Sequence, residues 1–319
     1  MIVSASRRTD IPAFYADWFF HRIDAGYCAV PNPFNHQQVS RVSLEPDEVD
    51  AIVFWTRNPA PLFPRLRELS ERGFRYYFLF TLINNPKPID PYSPPLEKAV
   101  DIFRELAGMI GPERVIWRYD PIFLSNRTTF SYHIENFTRI AELLNGCTER
   151  SIISFVDEYR KACRRIRRLA RSGIQAWPGE KLDINDISDF IPNLVRAAAA
   201  NDMELQSCAE NHDMSGFGVT PGKCIDDNLL RKLFAINVSS KKDTAQRKAC
   251  RCIASRDIGM YDSCLFGCSY CYATQSFERA RKNHQQHDPK SPSLIGRYDA
   301  EPPKGKEKKK PAPRQQRLF

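Results

Sequence analysis

The sequence predicts an α/β fold, a (β/α) barrel or partial TIM-like barrel of six to eight strands. Two observations carry that expectation. Short runs of apolar, β-branched and aromatic residues recur as far as residue 209, and longer amphipathic stretches lie between them. Runs that are apolar on both faces suit a parallel sheet covered on both sides, and parallel neighbours need a crossover helix between them.

In order, the expected strands are MIVSAS (1–6), DAIVFWT (50–56), RYYFLFTL (75–82), RVIWRYD (114–120), SIISFVD (151–157) and ELQSCA (204–209). The helical stretches between them have recognisable stops. PAPLFPRLRELSERG ends in Gly73, SPPLEKAVDIFRELAGMIG in Gly111 and DEYRKACRRIRRLARSG in Gly173, each glycine suited to a left-handed C-cap. From Asp288 onward the chain turns rich in proline and lysine, so residues 1–287 are expected to form the barrel and 288–319 a disordered basic tail.

The chain has 319 residues, enough for a full core, and no apolar run approaches the roughly 18 to 20 residues that span a bilayer. MIVSASRRTD lacks the apolar region of a secretion signal, so the expected location is cytoplasmic and no membrane partner is expected. The net charge is +9, but residues 302–319 hold seven Lys/Arg against Glu307, and bulk charge is therefore weak support for nucleic-acid binding. Ten cysteines in such a chain argue for metal or redox chemistry over a disulfide framework. The isolated Cys28, Cys147 and Cys163 read as small buried hydrophobes.

In β/α barrels the chemistry sits where strands end. That singles out Arg7, Arg8 and Asp10, Thr56 and Arg57, Arg118 and Asp120, Asp157, and Cys208 with Glu210. Arg118 and Asp120 are two apart on one strand, so both face the same side, either as an ion pair closing the core or as catalytic groups touching substrate.

Cys264, Cys268 and Cys271 have the spacing CxxxCxxC. Structural zinc and closed 4Fe-4S sites want four protein ligands, whereas three cysteines leave one iron of a 4Fe-4S cubane open. An open iron is what coordination of S-adenosylmethionine requires before its one-electron cleavage. Tyr270, just before the third cysteine, is placed to pack on the adenine as a cofactor-binding residue.

CLFGCSYC is similar to the motif of the radical S-adenosylmethionine superfamily, and SCLFGCSYCYA resembles the branch that contains spore photoproduct lyase. The stretches MIVSASRRTD, CIDDNLL and RDIGMYDSCLFGCSYCYA together resemble the uncharacterised radical-SAM-like family known as domain of unknown function 1848, over roughly residues 1–275. The resemblance implies a 4Fe-4S cluster, S-adenosylmethionine and a reductant such as flavodoxin or ferredoxin. Superfamily members usually carry the motif after the first strand, whereas here it begins at residue 264. A permuted barrel accounts for this: SRDIGMY (255–261) becomes a strand that sets Ile258 to Tyr261 beside Ile2 to Ser6, followed by the cysteine loop and the helix TQSFERARKNH.

Four further cysteines, Cys208, Cys224, Cys250 and Cys252, read either as an auxiliary 4Fe-4S cluster or structural zinc, or as buried thiols beside a flexible connector. Arg160, Arg164, Arg167, Arg168 and Arg171 share one helix face, either a solvated surface or a phosphate-binding stripe for nucleic acid. Gln315, Leu318 and Phe319 resemble the QxxLF peptide that docks on the sliding clamp. The leading expectation is a radical S-adenosylmethionine enzyme, a lyase or oxidoreductase, that repairs or modifies nucleic acid. The alternatives are the same chemistry on a small metabolite, or a non-catalytic zinc or iron-sulfur module tethered to the replication machinery.

Overall fold

The structure is a computed structural model that describes residues 1–157, 159–177, 184–210 and 212–300. The expected clamp peptide, Gln315, Leu318 and Phe319, lies outside the described residues.

The chain opens with β1 (Ile2–Ala5), α1 (Ile11–Phe14) and α2 (Ala16–Ala25), followed by the hairpin β2 (Tyr27–Asn32) and β3 (Asn35–Ser43). It continues through β4 (Ala51–Thr56), α3 (Phe63–Glu71), β5 (Tyr76–Thr81), α4 (Leu96–Ile110), β6 (Val115–Ile122) and α5 (Phe130–Leu143). Then come β7 (Arg150–Phe155), α6 (Arg160–Arg168), α7 (Ile184–Ser188), α8 (Ile191–Ala199) and β8 (Glu204–Ser207). Two-residue β9 (Thr220–Pro221), α9 (Asp227–Phe234), two-residue β10 (Arg256–Asp257) and α10 (Phe277–Gln285) complete it.

All six expected runs are strands, and they lie parallel in one eight-stranded sheet of order β10-β1-β4-β5-β6-β7-β8-β9. The predicted neighbour of β1 is present, but it pairs earlier in the segment than expected. β10 lies parallel to β1 with Val3 opposite Arg256 and Ser4 opposite Asp257, and of Ile258 to Tyr261 it is Ile258 that reaches β1, its N donating to Ser4 O at 3.0 Å. Asp257 fixes this register by accepting from Ser6 Oγ at 2.8 Å, Arg7 N at 2.8 Å and Arg8 Nε at 3.0 Å. Gly259 is required by the same approach, since a Cβ there would stand 1.9 Å from Ser6 Oγ.

Period-two alternation divides the strand side chains between two cores. Val3, Ile52, Phe54, Phe78, Trp117 and Ile153 pack against the crossover helices through Phe19, Leu66, Phe103, Phe137 and Leu194. Ile2, Val53, Tyr77, Leu79, Ile116 and Ile152 face the other way, against Ile225, Leu230 and Ile253. This second side is the concave one: the segments flanking the two edge strands touch, Ile253 N donating to Ile225 O at 3.1 Å. Among the described residues no strand ladder joins β9 to β10, and the segments beside these edge strands meet at this seam.

Two expectations need correction. The tail was expected to begin at residue 288, yet residues 290–296 are packed on the body. Trp18 Nε1 donates to Ser291 O at 3.0 Å, Ala29 N to Pro292 O at 2.9 Å, and Leu294 is buried. Serines and one leucine there satisfy backbone and apolar groups of α2 and β2 that a composition count does not register. The β2–β3 hairpin was not expected, because most of β3 is exposed and polar.

Candidate functional site

The loop bearing Cys264, Cys268 and Cys271 begins where the chain leaves β10 and is fixed from three sides. Tyr15 Oη donates to Ser263 O at 2.7 Å. Ser269 N donates to Ile89 O at 2.9 Å and its hydroxyl to Pro88 O at 3.1 Å, which ties the loop to the segment after β5. Asp262 accepts from Gln275 N at 2.5 Å and Ser276 N at 3.0 Å, joining the loop's start to the N-terminus of α10. Gly267 has φ +72°, and a Cβ there would press on Tyr92 and Pro91.

The third side is Arg165 on α6. Its guanidinium donates to Ser269 O at 3.2 Å, to Thr274 O at 2.8 Å and to Cys271 O. Arg165 therefore holds the loop's backbone, and Lys161 lies 4.6 Å from the centre of the Tyr261 ring. The five arginines of the expected stripe, Arg160, Arg164, Arg167, Arg168 and Arg171, are exposed on the same helical segment.

Cys264, Cys268 and Cys271 are half-buried, and Arg57, Arg165, Asp90 and Asp10 act on them electrostatically. Burial pushes the Cys264 thiol up to about 12 and raises that of Cys268 as well, while the Arg57 guanidinium pulls the latter back. Such thiols keep their protons at neutral pH unless a cation replaces them. Burial also pushes the Asp10 carboxyl up to about 7, against hydrogen bonds from Arg57 N at 2.6 Å and Ala13 N at 3.0 Å.

Tyr270, the residue expected to pack on the adenine, has its ring buried among Ile89, Phe123, Leu169 and Ile174. Its hydroxyl donates to Asp90 Oδ2 at 2.8 Å and accepts from Arg57 Nη2 at 2.5 Å. The exposed aromatic of the loop is Tyr272, which is 38% exposed, lies 5.2 Å from the Tyr159 ring and donates to Arg7 O at 2.6 Å.

Arg118 and Asp120 form an ion pair, and Ser154 Oγ donates to Asp120. Trp55 is flanked by two guanidiniums, that of Arg118 at 4.7 Å from its ring centre and that of Arg7 at 5.2 Å. Arg7 Nη2, Trp55 Nε1 and Arg118 Nε are buried without a hydrogen-bond partner among the described residues. Of the other strand-end candidates, Asp157 pairs with Arg247. Glu210 accepts from Phe155 N at 2.8 Å, and burial pushes its carboxyl up to about 7. Asp90, Asp257 and Trp55 went unread in the sequence, and Arg165 read only as one of seven bases on its helix, because their partners lie far away along the chain.

The remaining cysteines gather on the concave side, where Cys208 Sγ and Cys224 Sγ are 3.2 Å apart and the Cys252 sulfur interacts with those of Cys224 and Cys250. Among the described residues, the loop and the seam included, no group of three or more His, Cys, Asp or Glu side chains is arranged to hold a metal ion. Cys28 is fully buried, as expected of a small hydrophobe, whereas Cys147 and Cys163 are half-buried. No described helix is long and apolar enough to cross a membrane.

Fold and site together define a parallel-sheet α/β protein with a pinned three-cysteine loop where β10 leads out of the sheet, and a second gathering of thiols at its seam. The chain belongs to the family described as Domain of unknown function (DUF1848), whose model matches residues 2–273 and so includes both groups of cysteines. No curated protein matches it.

Proposed function

We propose that the protein is a radical S-adenosylmethionine enzyme. The observation that supports this reading best is the loop of Cys264, Cys268 and Cys271: three cysteines within eight residues, on a backbone held by Tyr15, Ile89 and Arg165, with no fourth cysteine in the segment. Those three thiols would hold a 4Fe-4S cluster with one iron left to a cofactor. Such a cluster would supply the single electron, drawn from a flavodoxin or ferredoxin, for reductive cleavage of S-adenosylmethionine to methionine and a 5′-deoxyadenosyl radical. The chain's own residues then have separate tasks. Arg57 offsets the negative charge of the loop thiolates, Arg165 keeps the loop's carbonyls turned away from them, and Arg118 with Asp120 meets the substrate on the concave side.

Nucleic acid is the proposed substrate class, on one specific observation: the helical segment that clamps the cysteine loop through Arg165 also exposes Arg160, Arg164, Arg167, Arg168 and Arg171. A phosphate backbone on those arginines would run beside the loop. Docking on a sliding clamp through Gln315, Leu318 and Phe319 belongs to the same reading, and clamp binding that survives removal of Leu318 and Phe319 would count against it. The deciding experiment is anaerobic purification, assay of iron and sulfide, and reduction in the presence of S-adenosylmethionine. Formation of 5′-deoxyadenosine is expected. Zinc without iron, or iron without cleavage, would sink the proposal.

A further inference from the structure

We propose that Cys208, Cys224, Cys250 and Cys252 ligate a second metal centre, closed by four thiolates, that staples the two edges of the sheet together. This goes beyond the reading of the three-cysteine loop and does not depend on it.

The first ground is topology. Cys208 directly follows β8, Cys224 follows β9, and Cys250 and Cys252 precede β10. β9 and β10 are the opposite edges of the sheet, yet these thiols converge on one seam. Cys208 Sγ is 3.2 Å from Cys224 Sγ, and Cys252 interacts with both Cys224 and Cys250. Ile225 N points at Cys252 Sγ from 3.4 Å, as an amide does toward a sulfur carrying negative charge. Tyr77 Oη donates to Cys224 O at 2.7 Å and fixes that backbone from the sheet. Cys224, Cys250 and Cys252 are buried in one cluster, and Cys208 packs against it. A bound metal would draw these four thiols into a cage, since tetrahedral zinc with Zn–S near 2.3 Å holds its sulfurs about 3.8 Å apart.

The second ground is unsatisfied cationic donors. Arg7 lies against Cys252 and Cys224, and Arg118 against Cys208 and Cys224. Arg7 Nη2 and Arg118 Nε are both buried with no hydrogen-bond partner among the described residues. Neutral thiols are poor acceptors and would leave these donors unsatisfied at a cost. Four thiolates on a divalent metal, or on a cubane, carry net negative charge and meet both guanidiniums. Metal binding releases the thiol protons to solvent, so charge and protons balance without any further reactant. Four protein ligands complete the coordination and leave no position for substrate, which makes the centre structural.

The test uses the full chain purified anaerobically, with metal and sulfide assayed beside two variants: a Cys264→Ala/Cys268→Ala/Cys271→Ala triple and Cys252→Ser. The triple should retain about one zinc, or about four irons with matching sulfide, and Cys252→Ser should lose that complement entirely. Either metal supports the centre. A metal-free triple variant, a Cys252→Ser protein with the wild-type complement, or a Cys208–Cys224 disulfide found by mass spectrometry would overturn it. Should Cys252→Ser fail to fold, X-ray absorption on the triple variant decides: a shell of sulfur alone supports the proposal, and nitrogen or oxygen ligands refute it. Failure of S-adenosylmethionine cleavage would leave this result untouched.

Discussion

The loop of Cys264, Cys268 and Cys271 and the seam of Cys208, Cys224, Cys250 and Cys252 use the same side chain in opposite ways. The loop takes its three thiols from one short segment and fixes that segment by its backbone, through Arg165, Ser269 and Asp262. The seam takes four thiols from three segments and buries them in one cluster, with Cys208 Sγ and Cys224 Sγ 3.2 Å apart. Local supply with a rigid backbone suits a ligand set that keeps a position open for chemistry. Supply from the two edges of a sheet suits a closed set whose work is mechanical.

That contrast can be broken most decisively at the loop. Replacing Cys264, Cys268 or Cys271 by alanine is expected to lower 5′-deoxyadenosine formation by at least about a thousandfold while leaving seam metal in place, as read by product analysis beside metal assay. Equal loss of both metals would mean that the two groups are one site.

At the seam the expected effect is on stability. Chelation of the metal, or Cys252→Ser, should cost about 3 kcal/mol, a fall in Tm of roughly 5 °C by calorimetry. A Tm that does not move would leave the sheet edges held by packing alone.

A smaller effect separates the two sides of the basic helix. Arg165→Ala removes three donors from the loop's carbonyls and should destabilise iron retention by about 2 kcal/mol, whereas exposed Arg164→Ala should change it by less than about 0.5 kcal/mol. Oligonucleotide affinity should respond in the reverse order, Arg164→Glu weakening it most at low salt.

The smallest effect is one of pH. In metal-free protein the unfolded Cys264 thiol loses its proton near its ordinary value of 9.0, but the buried one holds it until about 12. The folded state therefore binds more protons across that window, so its stability is full below pH 9 and falls as pH rises toward 12. Relative to Cys264→Ala the loss should reach about 1 kcal/mol at pH 10 and disappear when the loop carries metal, as followed by chemical denaturation.

Much of the framework was legible from local pattern. Six apolar runs became β1 and β4 through β8, and Gly73 and Gly173 close their helices with positive φ. The pairing of β10 with β1 followed from placing a late cysteine motif in a barrel. Legibility failed where a residue's role depends on a distant partner. Tyr270 looked like a ligand-facing aromatic until Asp90 and Arg57 enclosed its hydroxyl. Arg165 counted as one more surface base until it turned onto the loop. Residues 290–296 looked like linker until Trp18 and Ala29 bonded them.

The sequence by itself determined which segments are strands and helices, where the helices stop, and that three cysteines share one loop. Periodicity and spacing encode how an element buries its own face, and those are properties of neighbouring residues. Only the tertiary structure decided that two sheet edges meet at four thiols, with Arg7 and Arg118 beside them. Those contacts join residues on opposite sides of the fold, and they come into existence only when the whole sheet curls.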